Sequence, residues 1–425
     1  MDGVAAELVR RLGMVVSDDP RPGPVGPATA AAHAMISVDG ETVRGFGAGR
    51  TPERARTVAV WECVERWAQF GRSAAEASGS SYPAHVTRDS YAALGEVAIH
   101  PSDLGLYAQA QYRRPDFGLA AFDERAPLEW LPVNELVTGA QRLVPVEFLH
   151  PHAPLRRPAL VAETSSGSAA YPDPDRARLA ALCEVVERDA AMLLWHRRPA
   201  ARVVPLGELP DRAGRAMTDL ARAGYVGRVA RIDQDVAVPT VLAIALRGRS
   251  FRYGLGTHPD PDTATEHAVV ELGRGLRAGT RPDRYTHLPL DQVRRPAQHR
   301  ALYDDGPLHD VLRTFLADTL VSGVRPRRAG PGPAVGDVER PGVDELPADP
   351  LDAVLGALGR HGLAGYSYDL TPPELADCGV SVVRVLVPGL IPLSFGYRRL
   401  RLGCRRLVGG TAPGRLSTLL PHFMG

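Results

Sequence analysis

The chain of 425 residues contains no lysine. All 50 basic residues are arginine. That absence excludes Schiff-base chemistry on a lysine and the lysine of a phosphate-binding loop. A phosphate or carboxylate partner must instead be met by arginine, a metal ion or backbone N–H groups. Cysteine is scarce as well. Cys63, Cys183, Cys378 and Cys404 lie far apart and form no CxxC pair. A disulfide framework and a thiolate zinc site are thereby excluded, and a reduced cytoplasmic chain is expected. No charge sign dominates, since 50 basic residues face 49 acidic ones. That balance argues against a nucleic-acid coat, so no nucleic-acid partner is expected. No apolar run reaches the roughly 18 residues of a membrane span. The N-terminal stretch MDGVAAELVRRLG is amphipathic and carries both charges, unlike a signal peptide. A protein without a membrane partner is expected.

What is present is a core-forming composition, with 44% hydrophobic residues. Glycine (43) and proline (38) are abundant but scattered. With alanine and arginine rich as well, this reads as codon bias, and the missing lysine reads as the same drift. Arg325–Pro350 is rich in Pro and Gly and reads as a mobile loop; Arg281–Asp305 is also polar and proline-bearing. The runs Arg228–Arg231, Val238–Leu246 and Val380–Val387 read as strands between amphipathic helical patterns. The class expected is α+β, or mixed α/β.

An internal repeat is the most informative feature. Three times a Gly- or Ser-rich turn leads into a helix-start signal and then a glutamate. The first copy is GAGRTPERARTVAVWECVER, with Thr51 as N-cap, Pro52 at the first helical position and Glu53 in the first turn. Asp173, Pro174 and Asp175 take these roles in the second copy, and Asp260, Pro261 and Asp262 in the third. The cap-to-glutamate distance is eleven residues every time: Thr51 to Glu62, Asp173 to Glu184, Asp260 to Glu271. That is close to three helical turns, about 16 Å. Two copies continue as Glu62-x-x-Glu65-Arg66 and Glu184-x-x-Glu187-Arg188, while the third reads Glu271-x-x-Arg274. Positions three apart share a helix face, so two helices each present paired carboxylates. Arg66 and Arg188, one position on, are expected to point elsewhere. A single such pair would read as a solvated face. Two at matched distances point to hard-cation binding, with one or two Mg2+ neutralising phosphates. His150 and His152 flank a proline and are expected in a surface loop; His196 and His267 are expected as packing or surface residues.

These motifs resemble the YcaO family. The resemblance rests on Gly47-Ala48-Gly49 with the first ExxER helix, and on Thr164-Ser165-Ser166-Gly167-Ser168-Ala169 with the second. It also rests on the run Arg188 to Trp195 and the late segment Asp369 to Gly403. It covers about Leu12 to Leu407, with a loop at 325–350 and a degenerate tail at 408–425, and implies one YcaO-like domain over 1–425 in which three turn-helix units pack on β-sheets. The N-terminal third looks most like the azoline-forming cyclodehydratases, the D-proteins of thiazole/oxazole-modified peptide pathways.

The resemblance implies ATP- and Mg2+-dependent cyclodehydration of Cys, Ser or Thr in a ribosomally made precursor peptide. Carried over by motif, Glu62, Glu65, Glu184 and Glu187 become Mg2+ ligands. They become ATP-site residues too, with Arg66, Ser166, Arg188, Glu271 and Arg274. No catalytic side chain is assigned. The chain departs from the family pattern at Ala48, Val58, Tyr171 and Arg274, and its tail LSTLLPHFMG keeps only Pro421. Arg274 or Arg50 could supply the charge that Ala48 lacks. No separate leader-binding domain is expected before the YcaO region, and a leader-peptide-binding or E1-like partner is expected, with a homodimer left open. A second reading is a YcaO-fold scaffold subunit with impaired nucleotide turnover. A third is a thioamide- or macroamidine-forming enzyme.

Overall fold

The computed structural model describes residues 2–20, 30–38, 40–77, 86–151, 155, 157–277, 288–322, 349–408 and 420–424. Nearly all of the expected loop at 325–350, and most of the tail at 408–425, lie outside these described residues. The first unit holds α1 (Gly3–Arg11), β1 (Val15–Asp18), β2 (Ala30–Val38), β3 (Glu41–Gly49) and α2 (Pro52–Ala77). A second stretch holds β4 (Thr87–Ser90), the short helices α3 (Tyr91–Leu94) and α4 (Gln109–Tyr112), β5 (Pro127–Glu135), β6 (Gln141–Pro145) and α5 (Val146–Leu149). Then come β7 (Ser168–Tyr171), α6 (Pro174–Arg197), β8 (Ala201–Val203), α7 (Asp211–Arg222), β9 (Val226–Ile232), β10 (Thr240–Arg247), β11 (Ser250–Thr257) and α8 (Pro261–Arg277). The last stretch holds α9 (Pro296–Tyr303), α10 (His309–Thr319), β12 (Leu320–Ser322), α11 (Pro350–Gly359), β13 (Tyr366–Asp369), β14 (Ser381–Leu386) and α12 (Arg405–Val408).

The strands form three sheets, ordered β1-β2-β3, β11-β10-β9-β8-β12 and β4-β5-β13-β14-β7, with β6 pairing β5 on the last. Helices cover them, so the expected α+β class is what the structure has. The three runs read as strands lie in β9, β10 and β14. The second begins two residues late, at Thr240, because Pro239 has no N–H for the ladder. The polar segment 281–305 contains α9 within its described part, with His299, Ala301, Leu302 and Tyr303 buried.

The repeat read from the sequence is a repeat of structure. All three caps form. Thr51 Oγ1 accepts from Arg54 N at 3.2 Å, Asp173 Oδ1 from Asp175 N at 2.9 Å, and Asp260 Oδ2 from Thr263 N at 3.0 Å. The first and third units share more than a helix. Each is an antiparallel hairpin, β2–β3 or β10–β11, whose second strand lies under the helix that follows. Glycines make that approach close. A Cβ at Gly45 or Gly47 would overlap the carbonyl oxygens of Ala59 or Ala55, and one at Gly254 or Gly256 those of Ala268 or Ala264. Small residues on strand and helix thus set the depth of α2 and α8.

The second unit differs. Gly167 takes φ +81°, and a Cβ there would overlap Val385 O. After this turn β7 joins β14, and α6 runs through the middle of the molecule. Its apolar residues occur all round the helix, as expected of a helix enclosed on every side. Ala177 to Val186 pack with α11, β7 and β14, whereas Ala190 to Trp195 pack with β8–β11, α9 and α10. The last described residues join that second core: Phe423 and Met424 are buried, and Trp195 Nε1 donates to Leu420 O at 3.2 Å. The expected degenerate tail is therefore, in its described part, an element of the core.

Candidate nucleotide and metal site

The three repeat helices converge on one cavity of about 560 Å3. Its wall includes Glu62, Glu65 and Arg66 from α2, Glu184 and Arg188 from α6, and Arg274 from α8. These are six of the nine residues singled out in the sequence. Glu187 and Glu271 lie behind this wall. Ser166 lines a separate small chamber behind Arg188, while Ser165 and Ser168 reach the main cavity instead. A second cavity of about 650 Å3 shares Arg54, Val58 and Arg274 with the first. It is rimmed by Arg50, Arg212 and Arg215, and both Ala48 and Val58 border it.

The arginines do not point elsewhere, as their offset by one residue from Glu65 and Glu187 suggested. Each stands four residues after the first glutamate of its motif, on that glutamate's face. Arg66 Nη2 pairs with Glu62 Oε1 at 2.6 Å, and Arg188 Nη2 with Glu184 Oε1 at 3.0 Å. Arg188 also reaches Glu187 Oε1 with Nη1 at 3.0 Å. Arg274 crosses from α8 to Glu62 Oε2 at 2.7 Å and donates to Phe46 O at 2.9 Å. Glu62 is thus held by two guanidinium groups. Glu184 also accepts from Gly167 N at 3.2 Å, and Glu271 from Leu255 N at 2.6 Å.

Two carboxylates are strongly affected by burial. Burial, reinforced by Glu184 and Glu62, pushes the Glu65 pKa well above the usual carboxylate range; Gln69 Nε2 donates to it at 3.4 Å. Burial raises Glu187 to about 8, against the opposing pull of Arg188 and with help from Glu271 and Glu184. Burial works against the charge of Arg188, but Glu184, Glu187 and Glu271 outweigh it and drive its pKa further up. Among the described residues, no three Asp, Glu, His or Cys side chains stand close enough to hold a metal ion by themselves. The donor set nevertheless suits Mg2+. It is all oxygen, it comes from two helices, and burial raises the pKa of two of its carboxyl groups, Glu65 and Glu187.

His150 is not on a surface loop. It is buried, and its ring meets Tyr368 edge-on at 5.4 Å; His152 lies outside the described residues. His196 packs at the end of α6, where burial lowers its pKa to about 4, and His267 lies on the rim of the second cavity. Sequence reading missed Glu163, Arg384 and Arg401. Glu163 sits between two guanidinium groups, 3.9 Å from Arg384 Nη2 and 3.3 Å from Arg401 Nη2. A signal was available for Arg384. An arginine in the middle of the apolar strand VSVVRVLV is a buried charge, and buried charges need a reason.

This fold and site define a mixed α+β protein with a cavity lined by both carboxylates and arginines. The chain belongs to the YcaO family: the family described as YcaO cyclodehydratase, ATP- and Mg2+-binding, matches residues 46–391. ATP and Mg2+ are its cofactors. The chain is 27% identical over 301 residues to an uncharacterized protein of the tfuA 3′ region of Rhizobium leguminosarum bv. trifolii, covering 66% of this chain and 64% of that one. It is 27% identical over 381 residues to an uncharacterized protein of Methanothermobacter thermautotrophicus strain Delta H, covering 86% of each. Among solved structures it is similar to a heterocyclase in complex with substrate and cofactor (TM-score 0.70, 21% identity, 98% of this chain and 56% of that one). It is similar too to YcaO from Methanopyrus kandleri bound with AMPPCP and Mg2+ (TM-score 0.56, 22% identity, 91% and 88%). A third is the E. coli microcin synthetase McbBCD complex with pro-MccB17 bound (TM-score 0.57, 13% identity, 88% of each). The chain thus spans under two thirds of the Rhizobium relative and little more than half of the heterocyclase.

Proposed function

We propose that this protein is an ATP- and Mg2+-dependent enzyme that modifies a ribosomally made peptide by cyclodehydration of Cys, Ser or Thr to an azoline. The observation that carries the reading is the convergence of Glu62, Glu65, Glu184, Arg66, Arg188 and Arg274 on one cavity from three repeat helices. Its volume lies within the roughly 300–1,000 Å3 of small-molecule sites. ATP supplies the phosphoryl group that converts an amide oxygen, otherwise lost as a poor leaving group, into phosphate. Glu62, Glu65, Glu184 and Glu187 hold Mg2+ in this reading. Arg66, Arg188 and Arg274 position and neutralise the polyphosphate. Glu271 and Ser166 act from behind the wall, Glu271 by fixing Leu255 N and Ser166 beside Arg188.

The protein is read as one YcaO-like domain, working in the cytoplasm with a precursor peptide and a leader-binding or E1-like partner. A homodimer fits the reading and is checked by light scattering. The test of activity is purified protein with precursor, partner and Mg-ATP. Loss of 18 Da, the mass of one water, together with phosphate release is expected. ATP left unconsumed with every cognate partner overturns the reading. A thioamide would show in the same mass spectrum as a gain in mass; a macroamidine loses the same water and is told from an azoline by its fragmentation.

One observation favours a second reading, a scaffold subunit with impaired turnover. Arg274 already occupies Glu62 at 2.7 Å, where a cation would sit. Calorimetry separates the two. Micromolar Mg-ATP affinity that Glu184→Gln removes supports the enzyme; no Mg-ATP binding supports the scaffold.

A further inference from the structure

Arg384 carries a charge that the described structure does not balance. It stands in the middle of β14, one of the largest side chains with almost no exposure. Its Nη2 comes within 3.9 Å of Glu163 Oε1, and its Nε and Nη1 meet no acceptor among the described residues. Glu163 is shared with Arg401, which is equally buried and sits closer, at 3.3 Å. Arg401 has further acceptors in Gly105 O and Ala162 O. One carboxylate therefore faces two guanidinium groups, and the surplus charge falls on Arg384. Burial pulls the Arg384 pKa down, with Glu163 and Glu184 opposing. A buried charge without its partner is costly, so such a site is built for something that completes it.

Arg384 lines the small chamber behind Arg188, about 40 Å3 in volume. Glu163, Ser166 and Arg188 are its other polar walls, and the rest is apolar, including Phe148 and Leu390. Arg188 Nε is also buried without an acceptor among the described residues. At roughly 10–15 Å3 per water-sized guest, the chamber admits about three such atoms. That is the size of a carboxylate or the oxygen end of a phosphoryl group.

We propose that this chamber is a subsite for a small oxyanion, held by Arg384 with Arg188 and Ser166 beside it. The proposal rests on the nucleotide reading above and deepens it, because Arg188 forms a wall of both the chamber and the main cavity. The oxyanion is either a phosphoryl group of the reaction or a carboxylate of the peptide.

The full chain, free of Mg2+ and nucleotide, is titrated with inorganic phosphate and separately with acetate, read by calorimetry and thermal melting. Saturable binding is expected, weakened about tenfold or more in Arg384→Gln and unchanged in Arg212→Gln, which alters the outer arginine rim. Phosphate preference identifies the phosphoryl source, and acetate preference the peptide carboxylate. No saturable binding of either anion overturns the proposal. So does equal binding by Arg384→Gln, or loss confined to Arg212→Gln. Should Arg384→Gln not fold, hydrogen exchange on the natural chain decides: bound anion slows exchange in Ser381–Leu386, and unaltered exchange there overturns the proposal. Mg-ATP titration of the same protein is scored separately, so failure of the subsite is distinguishable from failure of the nucleotide reading.

Discussion

Glu62 is claimed by Arg66 on its own helix and by Arg274 from α8. The second contact is the consequential one, since it ties two repeats together and places a fixed cation where a mobile one would bind. Arg274→Gln keeps a donor and removes the charge. Mg2+ binding by the free protein is expected to tighten by roughly tenfold, equivalent to about 1.4 kcal/mol. Calorimetry with Mg2+ alone checks this, and unchanged or weaker binding means that Arg274 does not compete for Glu62. The residue types were legible in the sequence, because the spacing from cap to glutamate names them. Their pairing was not. Spacing assigns a residue to a helix face, but a long guanidinium reaches past its own azimuth, as Arg66 and Arg188 do, and across to another helix, as Arg274 does. Glu163 and Arg384 escaped for a different reason. No local pattern links a loop glutamate to a strand arginine more than 200 residues later; only the packing of β14 beside β7 joins them.

At the scale of the element, the first and third repeat units are each a hairpin, a glycine face and a capped helix. The caps were legible, since Thr51-Pro52, Asp173-Pro174 and Asp260-Pro261 are strong local signals. The caps are also where a local change has a local cost. Asp173→Ala removes the acceptor for Asp175 N and Arg176 N. It is expected to destabilise the protein by about 1 kcal/mol in denaturant melts. The hairpins before α2 and α8 are less legible, because Gly47, Gly254 and Gly256 read as turn residues when they are strand residues facing a helix, as Gly45 is. Gly256→Ala sets a methyl group against Ala264 O. Overpacking of this kind costs about 1–3 kcal/mol or more, since backbone must move. Gly207→Ala has nothing near its new methyl group and is the control, expected to melt as the natural chain does. Equal stability of the two variants would mean that the strand-to-helix contact is looser than described.

Across the whole molecule, α6 lines the carboxylate-and-arginine cavity with Arg176 to Arg188 and reaches the histidine-bearing core with its last turns. That core holds His299 on α9 and His422 in the final segment, their rings 4.6 Å apart, and neither ring is exposed. His299 Nδ1 lies 3.0 Å from His422 O, its Nε2 accepts from Gly396 N at 2.8 Å, and Tyr303 donates to Pro421 O. Burial pushes His299 down to about 4, and burial with the neighbouring His299 and His196 pushes His422 well below the usual range. Both imidazoles are therefore neutral in the fold near neutral pH. The unfolded chain, with ordinary values near 6.5, takes up their protons first as pH falls. Stability is then complete above about pH 6.5 and is lost progressively as pH falls toward about 4. For His299 alone the loss between pH 6.5 and 5 is of order 2 kcal/mol. Tm measured from pH 7.5 to 5 is expected to drop, and His299→Gln is expected to drop less steeply from a lower start. A Tm that stays level across that interval would show that the final segment is not held by neutral histidines. Because Trp195 at the end of α6 packs against Phe423, acid release of that segment is expected to loosen the same helix that carries Glu184 and Glu187. Mg-ATP affinity and Tm should then fall together on the acid side, and affinity that falls while Tm holds would separate the cavity from the core.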